Sequence, residues 1–229
     1  NIGDLGLVNI PAKVNTFTNL ETLVLDNNPI AANAYGNITA LTKLKTLSLS
    51  GTGLSQIPTQ VSQRTQMTSL NLSNNNLTEQ DTTGLSTLTN LEWLSLENNQ
   101  LSQIPTQLSQ LQKLQNLNLG RNKITGNLAS LTTLANLQQL FLNNNQISGN
   151  FPSSLLGMSK LMMLNLNSNQ LTGDLPDKLP EITHISNNGF NKSQLTNYIL
   201  DFAEQTELNY SPQRYDDIKT VLAVAGQQA

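Results

Sequence analysis

The segment Leu91-Glu-Trp-Leu-Ser-Leu-Glu-Asn-Asn-Gln-Leu101 decides the fold of this chain. It has the pattern L-x-x-L-x-L-x-x-N-x-L, which recurs through the sequence every 23 or 24 residues. A fixed period of this size is typical of solenoids, in which each repeat forms one coil and buries its apolar side chains by stacking on its neighbours. A chain of 229 residues built in this way need not divide into separate globular domains.

The repeats share one apolar starting position, which is filled by Leu20, Leu44, Met67, Leu91, Leu114, Leu137 and Leu161, and a looser eighth repeat runs from Pro180 to Phe190. The Asn position holds Asn28, Asn75, Asn99, Asn122, Asn145, Asn169 and Asn188, with Thr52 in its place in the second repeat. Both leucines of L-x-L point inward from a short strand, because side chains alternate along a strand. We predict a structural role for the Asn side chains, which can satisfy backbone groups in the turn, a role that Thr52 fills only in part.

The later repeats carry a second motif after the Asn position. It occurs in Ile147-Ser-Gly-Asn-Phe-Pro-Ser-Ser-Leu-Leu-Gly-Met-Ser-Lys-Leu161 and begins again in Leu171-Thr-Gly-Asp-Leu-Pro176. Over about residues 5–190 the chain resembles the leucine-rich-repeat superfamily, and these two segments resemble its plant-type repeat. The resemblance implies an α/β solenoid, a right-handed superhelix with a concave parallel β-sheet. It also implies a mixed convex side of helix, 3₁₀ turns and short strands, with the earlier segments 85–91 and 128–137 more helical.

The two ends of the chain depart from the repeat. Residues 1–19 form a degenerate N-terminal coil, and residues 20–190 hold about eight leucine-rich repeats. Leu7–Val14, Leu54–Val61 and Leu101–Leu108 resemble one another at intervals of 47 residues, which indicates duplication of a two-coil unit. In residues 191–229 the apolar residues of Ser193–Glu204 have helical spacing, and Ser211-Pro212 could begin a second helix. We predict a helical C-terminal cap there, and the alternative is a linker to a further domain.

The composition excludes several classes of function. The chain has 12 basic and 15 acidic residues, a net charge of −3 and no basic run, so we expect neither nucleic acid nor an anionic membrane surface as a partner. No apolar segment approaches the length of a membrane span, which predicts no membrane insertion. The absence of cysteine removes disulfide caps, thiolate nucleophiles and zinc–thiolate sites.

The concave face is the predicted binding surface, because the sheet of this fold leaves that face open to solvent, whereas other parallel sheets are covered on both sides. The predicted partner-binding residues on it are Trp93, Ser95, Glu97, Asn116, Asn118, Gln139, Phe141, Met163, Asn165 and His184. Trp93 is the single Trp of the chain, and the repeat places it outward. An exposed aromatic side chain on a polar sheet favours a contact residue, and the alternatives are packing across neighbouring strands or cover by the C-terminal tail.

The sequence contains no pattern that indicates catalysis, a cofactor or a metal. His184 is the lone histidine and has no cluster of Cys or Asp around it, so we interpret it as a surface residue. We therefore predict a non-catalytic, monomeric recognition module that binds a protein through its concave face. A glycan is the alternative ligand, because aromatic and amide side chains also suit sugars.

We expect a bacterial cell-surface or secreted protein that functions in adhesion or host interaction. The resemblance, the Asn/Gln/Thr-rich surface and the missing cysteine caps favour this interpretation. One alternative is an intracellular effector or signalling scaffold in the cytoplasm of a host cell, which the missing cysteine fits equally well. The other alternative is the recognition part of a larger receptor.

Overall fold

The computed structural model describes residues 1–191, whose regular elements are short strands and short helices. The strands are β1 Thr22–Val24, β2 Thr46–Ser48, β3 Ser69–Asn71, β4 Trp93–Ser95, β5 Asn116–Asn118, β6 Gln139–Phe141, β7 Ser148–Gly149, β8 Met163–Asn165, β9 Gln170–Gly173, β10 Ile182–His184 and β11 Gly189–Phe190. The predicted C-terminal cap lies outside the described residues and stays a prediction.

Helical turns alternate with these strands along the chain. The 3₁₀ helices span Ala12–Thr16, Ala34–Ile38, Glu79–Thr87, Thr106–Gln110, Ala129–Thr133 and Ser153–Gly157, and the α-helix α1 spans Thr59–Ser62. A serine or threonine near the end of many of these helices donates its hydroxyl to the carbonyl three residues earlier, as Ser109 does to Thr106 at 2.8 Å. Such local bonds compete with the i→i−4 ladder of an α-helix and favour the tighter turn.

Eight strands form one parallel sheet in the order β1-β2-β3-β4-β5-β6-β8-β10. The register aligns equivalent positions of consecutive repeats, so that Leu94 of β4 lies opposite Leu70 of β3 and Leu117 of β5. These central leucines are fully buried, together with those that follow each strand. The L-x-L alternation thus directs one side of every strand into a single continuous core, and the leucine-rich-repeat solenoid predicted from the sequence is confirmed.

An asparagine ladder joins the coils at the end of each strand. In the fifth coil, Asn122 Nδ2 lies 3.0–3.1 Å from the carbonyl oxygens of Leu96, Leu119 and Gly120. Its Oδ1 accepts the N–H of Leu101 at 3.1 Å. The same arrangement recurs at the other Asn positions, which confirms their predicted structural role. One amide thereby bonds backbone groups of two coils and accepts an N–H that would otherwise be buried without a partner.

The second coil interrupts this ladder. Thr52 donates its hydroxyl to the carbonyl of Leu49 at 2.8 Å, and its Oγ1 lies 3.3 Å from Asn75 Oδ1. In the other coils the amide oxygen of the ladder asparagine accepts the N–H that lies two residues beyond the preceding ladder position. The equivalent N–H here is that of Ile30, and it donates to the carbonyl of Asn28 at 2.8 Å instead. Thr52 therefore replaces the asparagine only in part, as the sequence predicted.

The residue before each ladder position turns the chain off the strand with a left-handed backbone. Asn27, Asn74 and Asn98 have φ of +55°, +56° and +52°, and Gly51 takes this position in the second coil. Asparagine and glycine adopt this conformation at lower cost than other residues. The Asn-Asn pairs of the sequence are therefore one turn residue followed by one ladder residue.

The convex side carries the helices and, in the later coils, a second parallel sheet in the order β11-β9-β7. β7 and β9 coincide with the Ser148-Gly149 and Leu171-Thr-Gly173 segments, where the resemblance implied a short strand or a 3₁₀ turn rather than a long helix. The earlier convex segments are helical, at Glu79–Thr87 and Ala129–Thr133. The mixed convex side predicted from the sequence is therefore confirmed.

Candidate functional site

The concave face presents two rows of outward side chains. We call one the strand-start row, which comprises Thr22, Thr46, Ser69, Trp93, Asn116, Gln139, Met163 and Ile182. We call the other the strand-end row, which comprises Val24, Ser48, Asn71, Ser95, Asn118, Phe141, Asn165 and His184. Strands lie about 4.8 Å apart, so each row extends roughly 35 Å along the face.

In the first coils the strand-end row is hydrogen-bonded to itself and to the residues that follow the strands. Asp26 Oδ1 accepts the hydroxyl of Ser48 at 2.6 Å and the N–H of Ser50 at 2.9 Å. Asn71 Nδ2 donates to the Ser48 hydroxyl oxygen at 3.0 Å, and Asn71 Oδ1 accepts the N–H of Ser73 at 3.0 Å. These polar groups are already satisfied by the protein and have little left to offer a partner.

The same network continues through the middle of the face and corrects one prediction. The hydroxyls of Ser73 and Ser95 lie 2.7 Å apart, and Ser95 is 2% exposed. Ser95 was predicted to contact a partner, but its small side chain is covered by its neighbours and bonded to Ser73. Asn118 Nδ2 donates to Glu97 at 3.0 Å, and Glu97 also pairs with Arg121 at 3.4 Å. Asn118 and Glu97 remain partly exposed but are engaged within the network.

The strand-start row differs, because each of its side chains is at least partly exposed. Within residues 1–191, the amides of Asn116 and Gln139 make no hydrogen bond to other side chains or to the backbone. They lie side by side on β5 and β6, in register with each other. These amides are free to exchange hydrogen bonds with water or with a bound molecule.

The largest apolar side chains lie from β4 onward, the part of the face that we call its later half, and before it the two rows present Val24 alone as an apolar side chain. Trp93 is 37% exposed and Ile182 is 42% exposed, while Met163 and Phe141 are partly exposed. The register places Met163 beside Gln139 and Ile182. The strand-start row from β4 to β10 therefore combines apolar groups with unpaired amides, whereas from β1 to β3 it holds only Thr22, Thr46 and Ser69.

Two of the predicted residues lie at the far end of the strand-end row. Asn165 Oδ1 accepts the N–H of Asn167 at 3.0 Å, which leaves its Nδ2 without a protein acceptor in the described part of the chain. His184 in β10 is partly exposed. No three His, Cys, Asp or Glu side chains cluster at metal-binding distance anywhere in residues 1–191.

A groove beside the strand starts was missed by the sequence analysis. It measures about 340 Å³ and is lined by Glu92, Lys113, Gln115, Asn136, Gln138 and Lys160. These residues precede the L-x-L strands, where alternation along a strand does not yet specify the direction of side chains. A usable signal was present, because Lys113 and Lys160 occupy the same repeat position 47 residues apart.

The family and the known structures agree with this geometry. The sequence profile of leucine-rich repeats matches residues 65–124, and a second leucine-rich-repeat profile matches residues 136–158 and 160–182. A comparison with curated protein sequences found no match. The helices of the described residues include none long and apolar enough to span a membrane.

Several solved structures share the fold. One is the leucine-rich-repeat ectodomain of the plant membrane receptor kinase GASSHO1/SCHENGEN3 from Arabidopsis thaliana, in complex with Casparian strip integrity factor 2. The TM-score is 0.67 and the sequence identity is 29%, and the similarity covers 82% of this chain and 24% of that one. Internalin C2 of Listeria monocytogenes gives a TM-score of 0.66 and 27% identity, covering 82% of this chain and 78% of that one.

Two further similarities complete the comparison. The internalin inlF of Listeria monocytogenes gives a TM-score of 0.64 and 26% identity over 82% of this chain and 60% of that one. A plant ice-binding protein gives a TM-score of 0.58 and 28% identity over 80% of this chain and 69% of that one. The stacked coils, the asparagine ladder and the open concave sheet define a solenoid recognition scaffold. The chain belongs to the leucine-rich-repeat superfamily, whose members are in general non-catalytic recognition modules.

Proposed function

We propose that this chain recognises a protein partner through the later half of its concave face. The observation that carries the proposal is the strand-start row from Trp93 to Ile182, where exposed apolar side chains stand beside amides that the protein leaves unpaired. The adjoining strand-end row is largely satisfied by its own hydrogen bonds. The surface available for contact is therefore one band of the sheet rather than the whole face.

The chemistry of this band suits a protein interface. A large aromatic side chain surrounded by polar groups is the usual centre of a binding hot spot, since burying it removes apolar area from water. Asn116 and Gln139 can each donate and accept hydrogen bonds with a partner's backbone. Because these amides are held on neighbouring strands of a rigid sheet, little ordering is needed when the partner binds.

The similar structures support the proposal. The receptor ectodomain was solved in complex with Casparian strip integrity factor 2. The chain spans about a quarter of that ectodomain and 60% of the internalin inlF. We propose a place at the cell surface or outside the cell, with adhesion or host interaction as the role. A monomer is sufficient for this function, because the band needs no second copy to complete it.

A binding screen followed by matched substitutions tests the proposal. The purified chain is applied to an array of extracellular and secreted proteins and to a glycan array. For each ligand found, the dissociation constant is measured for wild type, Trp93→Ala and Leu156→Ala. Leu156 is the matched control, because it lies on the convex side and is 38% exposed, close to the 37% of Trp93.

The expected result is a protein ligand whose affinity falls about tenfold or more in Trp93→Ala and less than about twofold in Leu156→Ala. Equal affinities of the two variants would contradict recognition by the concave face. Binding only on the glycan array, with the same dependence on Trp93, would replace the protein partner with a sugar.

A further inference from the structure

The groove beside the strand starts contains two lysines that the protein holds in place. Lys113 Nζ donates to Asn90 Oδ1 at 2.7 Å, and Lys160 Nζ donates to Asn136 Oδ1 at 2.6 Å. Each asparagine is itself fixed to the preceding coil, as shown by Asn136 Nδ2, which donates to the carbonyl of Gln112 at 2.8 Å. Both ammonium groups are thus positioned through neutral amides rather than left as free surface chains.

The charges of these two lysines are not compensated by ion pairs. Within residues 1–191, the ion pairs join Lys45 to Glu21 at 3.0 Å and Arg121 to Glu97 at 3.4 Å. Glu92 lines one end of the groove but makes no ion pair with either lysine. The groove therefore has two positive charges against one negative charge, and its lysines keep donors for a further acceptor, since an ammonium group has three.

The remaining walls of the groove are neutral hydrogen-bonding groups. The side chains of Gln115 and Gln138 make no hydrogen bond in the described part of the chain. They directly precede Asn116 and Gln139 of the strand-start row, so the groove is continuous with the band proposed to contact a partner. Lys113 and Lys160 stand two coils apart, a separation of roughly 10 Å along the solenoid axis.

We propose that this groove binds the carboxylates of an acidic segment of the partner protein. The assignment rests on the proposed function, because it names the part of the protein partner that meets this edge of the band. Each ammonium group meets one carboxylate, and the glutamine amides donate to the remaining carboxylate oxygens.

An experiment with a defined acidic probe tests this assignment without the natural partner. Hexaglutamate is titrated into the isotope-labelled chain, and the side-chain amide resonances of Gln115 and Gln138 are followed by NMR. The test variant is the double substitution Lys113→Gln/Lys160→Gln. The control is Lys43→Gln/Lys123→Gln, which removes the same charge at two lysines that also bond neutral side chains, those of Asn19 and Gln100.

The proposal predicts shifts at Gln115 and Gln138, and about a fivefold loss of hexaglutamate affinity in the groove variant. The charge-matched control should lose less than about twofold, and higher salt should weaken binding in wild type. Equal losses in the two double variants would overturn the site, because they would show attraction to net charge alone. Inorganic phosphate that binds the groove more tightly than hexaglutamate would overturn the assignment to carboxylates.

The two proposals fail separately. Trp93→Ala removes no charge from the groove. It should therefore leave the affinity for hexaglutamate unchanged while it lowers the affinity for the protein partner. If hexaglutamate fails to bind while partner affinity still depends on Trp93, the groove assignment falls and the proposed function stands. If hexaglutamate binds as predicted but no partner depends on Trp93, the proposed function falls and the carboxylate site is supported on its own.

Discussion

Asn116 and Asn122 lie six positions apart in the same coil and do opposite work. Asn122 is 8% exposed, and its amide bonds backbone groups of two coils. Asn116 faces the open sheet, and its amide has no partner among the described residues. The same side chain is therefore structural at one repeat position and available for recognition at another.

This difference teaches that residue type alone says little about function in a repeat protein. The position within the repeat decides whether a polar side chain forms hydrogen bonds within the fold or remains available to a partner. The strand-end row shows the intermediate case, since Ser48, Asn71 and Ser95 lie on the concave face but bond to neighbouring side chains. A search for binding residues should therefore begin with outward polar groups that remain unpaired.

The largest expected effect is on the inner amide. Asn122→Ala leaves the buried N–H of Leu101 without an acceptor and removes one of the two donors from each of three carbonyl oxygens. We expect the free energy of unfolding to fall by roughly 2 kcal/mol or more. Asn116→Ala should change it by no more than about 0.5 kcal/mol, because that amide bonds nothing in the fold. Urea denaturation of both variants measures the contrast, and similar losses in the two would break the comparison.

The gap in the ladder at Thr52 supplies a smaller test. The buried hydroxyl of Tyr35 faces Thr52, but no group in the described part of the chain has hydrogen-bond geometry with it. Burial raises the pKa of Tyr35 to about 12, and the Thr52 side chain opposes this shift only in part. Tyr35→Phe removes an unsatisfied polar group and keeps the ring, so it should leave stability unchanged or raise it by up to about 1 kcal/mol.

Urea denaturation of Tyr35→Phe beside wild type gives the answer. A loss of more than about 1 kcal/mol would show that the hydroxyl bonds Thr52 and completes the ladder. Tyr35 would then bridge the interruption in the second coil, and the ladder would be continuous.

The smallest effect concerns a carboxylate that links coils on the convex side, as the asparagines do on the inside. Burial opposes ionisation of Glu79. The hydrogen bonds that its carboxylate accepts from the N–H and hydroxyl of Ser102 and from the backbone N–H of Glu79 itself outweigh this effect and lower the pKa of Glu79. Because its pKa is lowered in the fold, ionised Glu79 stabilises the folded state above the ordinary value of 4.5. This stabilisation is lost as the pH falls through the pKa of the folded state.

Stability measured from pH 7 to pH 3 in wild type and Glu79→Gln tests this link. The advantage of wild type should be greatest near neutral pH and should shrink as the pH falls below the ordinary value of 4.5 and through the lowered pKa of the folded Glu79. A difference that stays constant across this range would show that the charge of Glu79 contributes nothing.

Much of this architecture could be predicted from the sequence, because the repeat positions specify which side chains form the core. The spacing of Leu91, Leu94 and Leu96 requires a strand and a turn, and Asn99 follows at the position where the turn needs an amide. The convex strands were predictable from Ser148-Gly149 and Thr172-Gly173. These features depend on contacts between equivalent positions, which a single period specifies.

The candidate site could be predicted only in part. The outward position of Trp93 follows from alternation along the strand, and its 37% exposure in the structure agrees. The burial of Ser95 did not follow, because it depends on the size of neighbouring side chains and on the bond to Ser73. The groove of Lys113 and Lys160 also escaped notice, since it forms before the strands, where the repeat leaves side-chain direction unspecified.

The central claim is that a partner occupies the later half of the strand-start row. The chain contains no cysteine, so single variants Gln139→Cys and Thr46→Cys report access at two equivalent positions of that row. Thiol-labelling rates are measured with and without saturating partner. The account predicts that partner slows labelling at position 139 about tenfold or more and at position 46 less than about twofold. Equal protection at both positions, or protection at position 46 alone, would contradict it.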